Sequence, residues 1–127
     1  MKVYKKYLEL LVLLVQGTNG ILSLKESRIR DTFARKLNEE YAIFVAEREE
    51  IYKKFCVKNE KGEPEIKNNQ YSFEPDILEE INKELVDLGE EKVEILPLGP
   101  VKMFLELSAY KPKVGEVEII DELLNQE

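Results

Sequence analysis

One cysteine, Cys56, no histidine and a surplus of carboxylates are all that this chain offers to chemistry, with 26 acidic residues against 19 basic ones. Without histidine the commonest general base is missing, and with it the Ser-His-Asp and Cys-His arrangements and most zinc sites. Cys56 could be a nucleophile only with a different activating base. Set among Tyr52, Phe55 and Val57, it reads instead as a buried, inert thiol. A lone cysteine forms no intramolecular disulfide, which suits a reducing compartment. The carboxylates fall at Glu39-Glu40, Glu47, Glu49-Glu50, Glu79-Glu80 and Glu90-Glu91. Such groups can pair for acid–base work or hold a metal, but bundle sites built on glutamate usually add Glu-x-x-His, and no histidine exists here. Solvated helix faces and i to i+4 ion pairs account for them. Gly17 and Gly20 lack the Lys-Ser/Thr ending of a phosphate loop, and Asn59, Lys61 and Glu63 lack the charge pattern of a calcium loop. The expectation is a protein that catalyses nothing and needs no cofactor or metal. A carboxylate-dependent metalloenzyme is the alternative from the enzyme class.

At 127 residues the chain is expected to form one domain, and 43% hydrophobic content is enough for a modest core. The net charge of -7 repels nucleic-acid phosphates, so no nucleic-acid partner is expected. Acidic proteins can imitate DNA, but here Lys and Arg are interleaved with Asp and Glu almost throughout. Lys2, Lys5 and Lys6 precede the apolar stretch Leu8 to Val15, which superficially resembles a secretory signal. Glu9 interrupts that stretch, no small-residue cleavage site follows, and Gln16-Gly17-Thr18-Asn19-Gly20 reads as a turn. The stretch is also too short to span a bilayer. A buried first helix is the reading, and no membrane partner is expected.

That helix should run from about Val3 to Gln16. Tyr4, Tyr7, Leu8 and Leu11 keep helical spacing, while Leu10, Val12 and Leu13 widen the apolar face beyond a stripe. Such a helix is either central to the fold or covered by another copy of the chain. Ser23-Leu24-Lys25-Glu26 is a capping box opening a second helix, and no Gly or Pro occurs between Leu24 and Lys61. The helix can therefore run to about Phe55, a length of about 45–50 Å, which implies a long arm. Leu37, Tyr41, Phe44, Arg48, Ile51 and Phe55 form a heptad-like seam along its later half. Arg48 in that seam either packs its stem and sends its guanidinium outward, or sets register through an ion pair. An antiparallel return helix with Phe55 near Ile77 would make Glu84 its partner.

Val57 to Phe73 reads as a small β-hairpin or ordered loop at the tip, around Asn59-Glu60-Lys61-Gly62-Glu63-Pro64. Pro75-Asp76 starts the return helix, Asp76 and Glu79 repeat the capping-box spacing, and Gly89 marks its stop. Ile77, Ile81, Leu85 and Leu88 form its apolar stripe. Lys92 to Leu96 alternates as a strand. Val101 to Tyr110 is core as either a short helix or a strand, Val114 to Ile120 alternates weakly, and Asp121 to Glu127 is a short helix or a frayed end. The fold class is thus mainly α with minor β: an apolar N-terminal helix over 1–20, a helical hairpin arm over 21–89, and a short β/α segment over 90–127.

Six tyrosines and five phenylalanines supply the aromatic surface. Tyr41, Phe44, Tyr52 and Phe55 read as hairpin core, whereas Tyr71 and Phe73 lie near the tip, where less core can cover them. The candidate interaction residues are therefore Tyr71 and Phe73 at the tip, Leu10, Val12 and Leu13 on the first helix, and Arg48 in the seam.

The run Glu47-Arg48-Glu49-Glu50-Ile51-Tyr52-Lys53-Lys54-Phe55, then Lys58-Asn59-Glu60-Lys61-Gly62-Glu63, then Tyr71, then the helix into Glu91-Lys92-Val93-Glu94-Ile95, resembles a family of small uncharacterised proteins of phages and prophages of low-GC Gram-positive bacteria. The likeness covers about Leu22 to Ile95 and is one of pattern. It implies a long helix, a charged turn, a return helix and a short strand, in a phage setting in host cytoplasm or virion, and carries no activity and no functional residue. In outline alone, the helix–hairpin–helix order also resembles prefoldin-type chaperone subunits. The function expected is non-catalytic protein–protein interaction: a virion component or assembly factor that self-associates and binds another protein, or alternatively a small inhibitor of a host enzyme or defence protein.

Overall fold

The computed structural model describes residues 1–18, 22–96 and 98–125, with the backbone alone for 98, 100 and 101. The chain is mainly helical with minor β structure. Among the described residues there are five helices, α1 (Leu8–Gln16), α2 (Leu24–Phe55), α3 (Leu78–Gly89), α4 (Leu98–Glu106) and α5 (Glu116–Leu124), and four short strands. These are β1 (Lys2–Tyr4), β2 (Ile66–Lys67), β3 (Gln70–Tyr71) and β4 (Lys92–Glu94), and 3-10 turns at Lys5–Tyr7 and Pro75–Ile77 lead into α1 and α3.

The capping box forms as its spacing requires. Glu26 N donates to Ser23 Oγ over 3.1 Å and Ser23 N donates back to Glu26 Oε1 over 2.8 Å. The backbone hydrogen bond from Ser23 holds the Glu26 carboxyl below its usual range, which favours the charged form at the positive end of the helix. From there α2 runs unbroken for 32 residues, about 48 Å of axis. Its first half belongs to the body of the molecule, where Phe33 and Leu37 are completely buried.

The first helix is shorter than its apolar spacing suggests. Lys2–Tyr4 is a strand, paired antiparallel with β4 so that Val3 faces Val93. The pairing continues beyond both strands, with Lys5 N donating to the Glu91 carbonyl and Ile95 N to that of Met1. Strand β4 needs a neighbour to pair its backbone, and the chain start supplies it, so helical geometry begins only at Leu8. Helix α1 then packs against both α2 and α4, which also meet each other. Its C-terminal end is bound to that of α4 by Ala109 N donating to the Gly17 carbonyl and Thr18 Oγ1 to the Phe104 carbonyl. A Cβ at Gly17 would stand 2.9 Å from Ser108 Oγ and 3.1 Å from the backbone Tyr110 N, so this close approach favours glycine.

Helices α2 and α3 form the expected hairpin in a different register. Glu84 pairs with Lys54 at 2.9 Å, roughly two turns further along α2 than Arg48. The hairpin read in isolation omits the cause. The end of α3 also packs on the Lys5–Tyr7 turn, so closely that a Cβ on Gly89 would stand 3.2 Å from Lys6 Cβ. Lys5 then fixes the level. Its Nζ lies 3.0 Å from Glu47 and 3.4 Å from Glu91, tying the chain start, α2 and the α3–β4 link together. Lys5 is buried, and burial alone would lower its pKa; the hydrogen bond and charge of Glu47, with the charge of Glu91, outweigh it and leave the pKa raised. The Asp76–Glu79 capping box does not form. Pro75 opens a 3-10 turn capped by Glu74 without a side-chain bond, and α3 begins only at Leu78.

Past Gly99 the helix alternative holds for α4, and the weak strand-like alternation of Val114 to Ile120 is overturned, because Ile119, Ile120, Leu123 and Leu124 pack on the core at helical spacing. Phe104 and Leu105 of α4 are buried, and α5 begins after Gly115, whose φ of 88° suits a residue without Cβ. Asn19, Gly20, Gln126 and Glu127, to which the turn and the C-terminal helix expectations extend, lie outside the described residues.

Candidate interaction surface

The tip beyond α2 is a small β unit held by its backbone. Val57 N donates to the Ser72 carbonyl, Glu65 N to that of Val57, and Asn59 N to that of Glu63. The first turn is built by Asn59, whose side-chain oxygen accepts from Lys61 N and Glu63 N, and by Gly62 at φ 76°. The second is the hairpin between β2 and β3, where Asn68 and Asn69 both take positive φ, the signature of a type I′ turn. Ile66 and Tyr71 face each other across this hairpin, and Ile66 is 53% exposed.

Tyr71 and Phe73 come together at the tip, as their alternation suggests, and Tyr52 of α2 joins them. The three ring centroids are 6.0–6.4 Å apart, with Tyr52 and Tyr71 stacked at 28°. Every ring in the cluster is half-buried. Tyr71 donates its hydroxyl to Glu49 over 2.8 Å, and that bond, with burial and the charges of Glu49 and Glu50, raises its pKa. The cluster lies apart from the main core, to which none of these rings belongs. Sequence spacing assigns Tyr52 to the hairpin core. The signal for its true place was available: Glu49, Tyr52 and Cys56 stand three and four residues apart on a different face of α2 from Phe44, Ile51 and Phe55.

The other candidates are dispersed. Leu10 is buried inside its own chain, Val12 is half-buried, and Leu13 is 37% exposed. The same chain therefore covers most of α1, and the need for a second copy to cover it disappears. Arg48 packs its guanidinium over the Phe44 ring at 4.8 Å, half-buried, with no ion pair among the described residues. Cys56 is buried at the foot of the tip, where its Sγ accepts from Lys58 Nζ at 3.1 Å and lies 3.4 Å from the Lys53 carbonyl.

Among the described residues no three acidic or cysteine side chains gather to hold a metal, and no helix is long and apolar enough to cross a membrane. No protein-family model, curated protein or solved structure matches the chain.

Proposed function

We propose that this chain is a non-catalytic protein-interaction protein that offers the aromatic end of its arm to a protein partner. One observation carries the reading: three rings that the fold needs only locally are gathered at the end of a long helix and are half-buried there, outside the main core. Aromatic clusters of this kind supply most of the energy of many protein interfaces, because they bury much surface for little lost side-chain freedom. Exposed Ile66 beside Tyr71 extends the apolar area. The resemblance to phage-encoded hairpins supports a partner among phage assembly or virion proteins. Leu13, with half-buried Val12, is the apolar surface that α1 retains for self-association.

The test compares the full chain with a Tyr71→Ser/Phe73→Ser variant and with Val117→Ser, an exposed change on α5, as immobilised baits in the native host. Proteins retained by wild type and Val117→Ser and lost from the tip variant, at unchanged helical circular dichroism, are the expected result. Equal retention by all three would overturn the reading. Light scattering on the same samples reports the number of chains per particle, and Leu13→Ser is expected to lower it; a monomeric wild type would remove self-association from the proposal.

A further inference from the structure

The flank of the body carries a hollow that the core does not fill and the arm does not use. Its floor is Val12 and Val15 of α1 with Ala34 and Leu37 of α2; Arg30 and Asn38 line it beside them, and its volume is about 200 Å³. Arg30, Ala34 and Asn38 follow one another at i, i+4 along α2, so they lie in one row facing α1. Ala34 contributes only a methyl group in the middle of that row, and this leaves the space. Val15 and Leu37 are buried, while Val12 and Ala34 are half-buried, so solvent reaches an apolar floor.

Arg30 is the one charged residue among the described lining. Its guanidinium rests 3.2 Å from neighbouring Asp31, whose side chain is 72% exposed. An ion pair so open to water is weak and yields readily to a better-placed carboxylate. The volume lies between the roughly 150 Å³ that accepts a benzene ring and the roughly 300 Å³ where drug-sized sites begin.

We propose that this hollow binds a small carboxylate whose apolar body is no larger than one aromatic ring or an alkyl chain of equal bulk. The apolar body lies on Val12, Val15, Ala34 and Leu37, and the carboxylate meets the Arg30 guanidinium, whose planar fork matches two carboxylate oxygens. A neutral molecule of the same shape keeps the apolar contact and forgoes the ion pair.

Methyl-resolved NMR of the full chain, titrated with phenylacetate and separately with benzyl alcohol, tests this. Saturable shifts at the methyls of Val12, Val15, Ala34 and Leu37, with a Kd on the order of millimolar, are expected for so few ligand atoms. Benzyl alcohol and the Arg30→Gln variant should each bind about tenfold more weakly, the difference a charge-assisted pair makes. Ala34→Leu fills the floor and should abolish the shifts; Arg30→Gln alters only the edge and keeps the test valid if Ala34→Leu disturbs packing. Absence of saturable shifts, equal affinity for the two probes, or Arg30→Gln binding phenylacetate as wild type does would overturn the proposal.

Discussion

The two ends of α2 are packed by different kinds of residue. Its first half meets α1 and α4 through aliphatic and phenyl side chains that are completely buried, among them Leu8, Leu11, Phe33, Leu37 and Phe104. Its far end meets the tip through half-buried rings, one buried cysteine and a framework of backbone bonds and asparagine turns. A body packed in the first way holds the fold. A tip packed in the second way is ordered without being needed by the core, which leaves its rings free to take part in an interface.

The contrast predicts a descending series of stability losses. Phe33→Ala should cost most, about 3–5 kcal/mol, because a fully buried ring leaves a cavity that its neighbours fill only in part. Chemical denaturation monitored by circular dichroism gives the value, and a loss below 1 kcal/mol would mean that the body is loosely packed.

Lys5→Met should cost less, about 1–2 kcal/mol. The ammonium is buried, but Glu47 and Glu91 are partly exposed and regain water once it is gone. Its raised pKa adds a pH signature. The contribution is fully present below the unfolded value near 10.5 and fades as pH rises through the higher folded value. Wild type and Lys5→Met should therefore converge in stability in strongly alkaline solution and differ at pH 7; a constant gap across that range would remove the ion triad from the account.

Tyr71→Ser/Phe73→Ser should cost the least global stability. It releases the tip locally and leaves the body folded, so amide exchange should quicken over 57–73 and stay unchanged in α1 and α4. A cooperative fall of the whole molecule would break the distinction between the two regions.

How much of this was legible in the sequence follows from the range of the interactions. Capping chemistry and the absence of Gly and Pro act over a few residues, and α2 starts and ends at the expected positions. The turn around Asn59 and Gly62 and the alternation of Tyr71 with Phe73 are equally local, whereas the Asn68–Asn69 turn that closes the β2–β3 hairpin was missed although its signal is just as local. Strand β1 was hidden because three residues of alternation run straight into an apolar helix, and only β4, some ninety positions away, reveals the pairing. The buried triad was hidden for the same reason: Lys5 meets carboxylates 42 and 86 residues distant. Those long-range contacts set the register of α3, and a hairpin considered without the chain start selects Arg48 for Glu84 where the fold selects Lys54. The hollow beside Ala34 depends on how α1 meets α2, and no local spacing encodes that.

Hydrogen exchange on the complex with a protein retained by the wild-type bait tests whether the tip rings are the surface offered to a partner. Slowed exchange confined to 52–73, with α1 and α5 exchanging as in the free chain, is the result predicted. Slowed exchange centred on α1, with the tip unchanged, would contradict it and move the interface to Leu13 and the body.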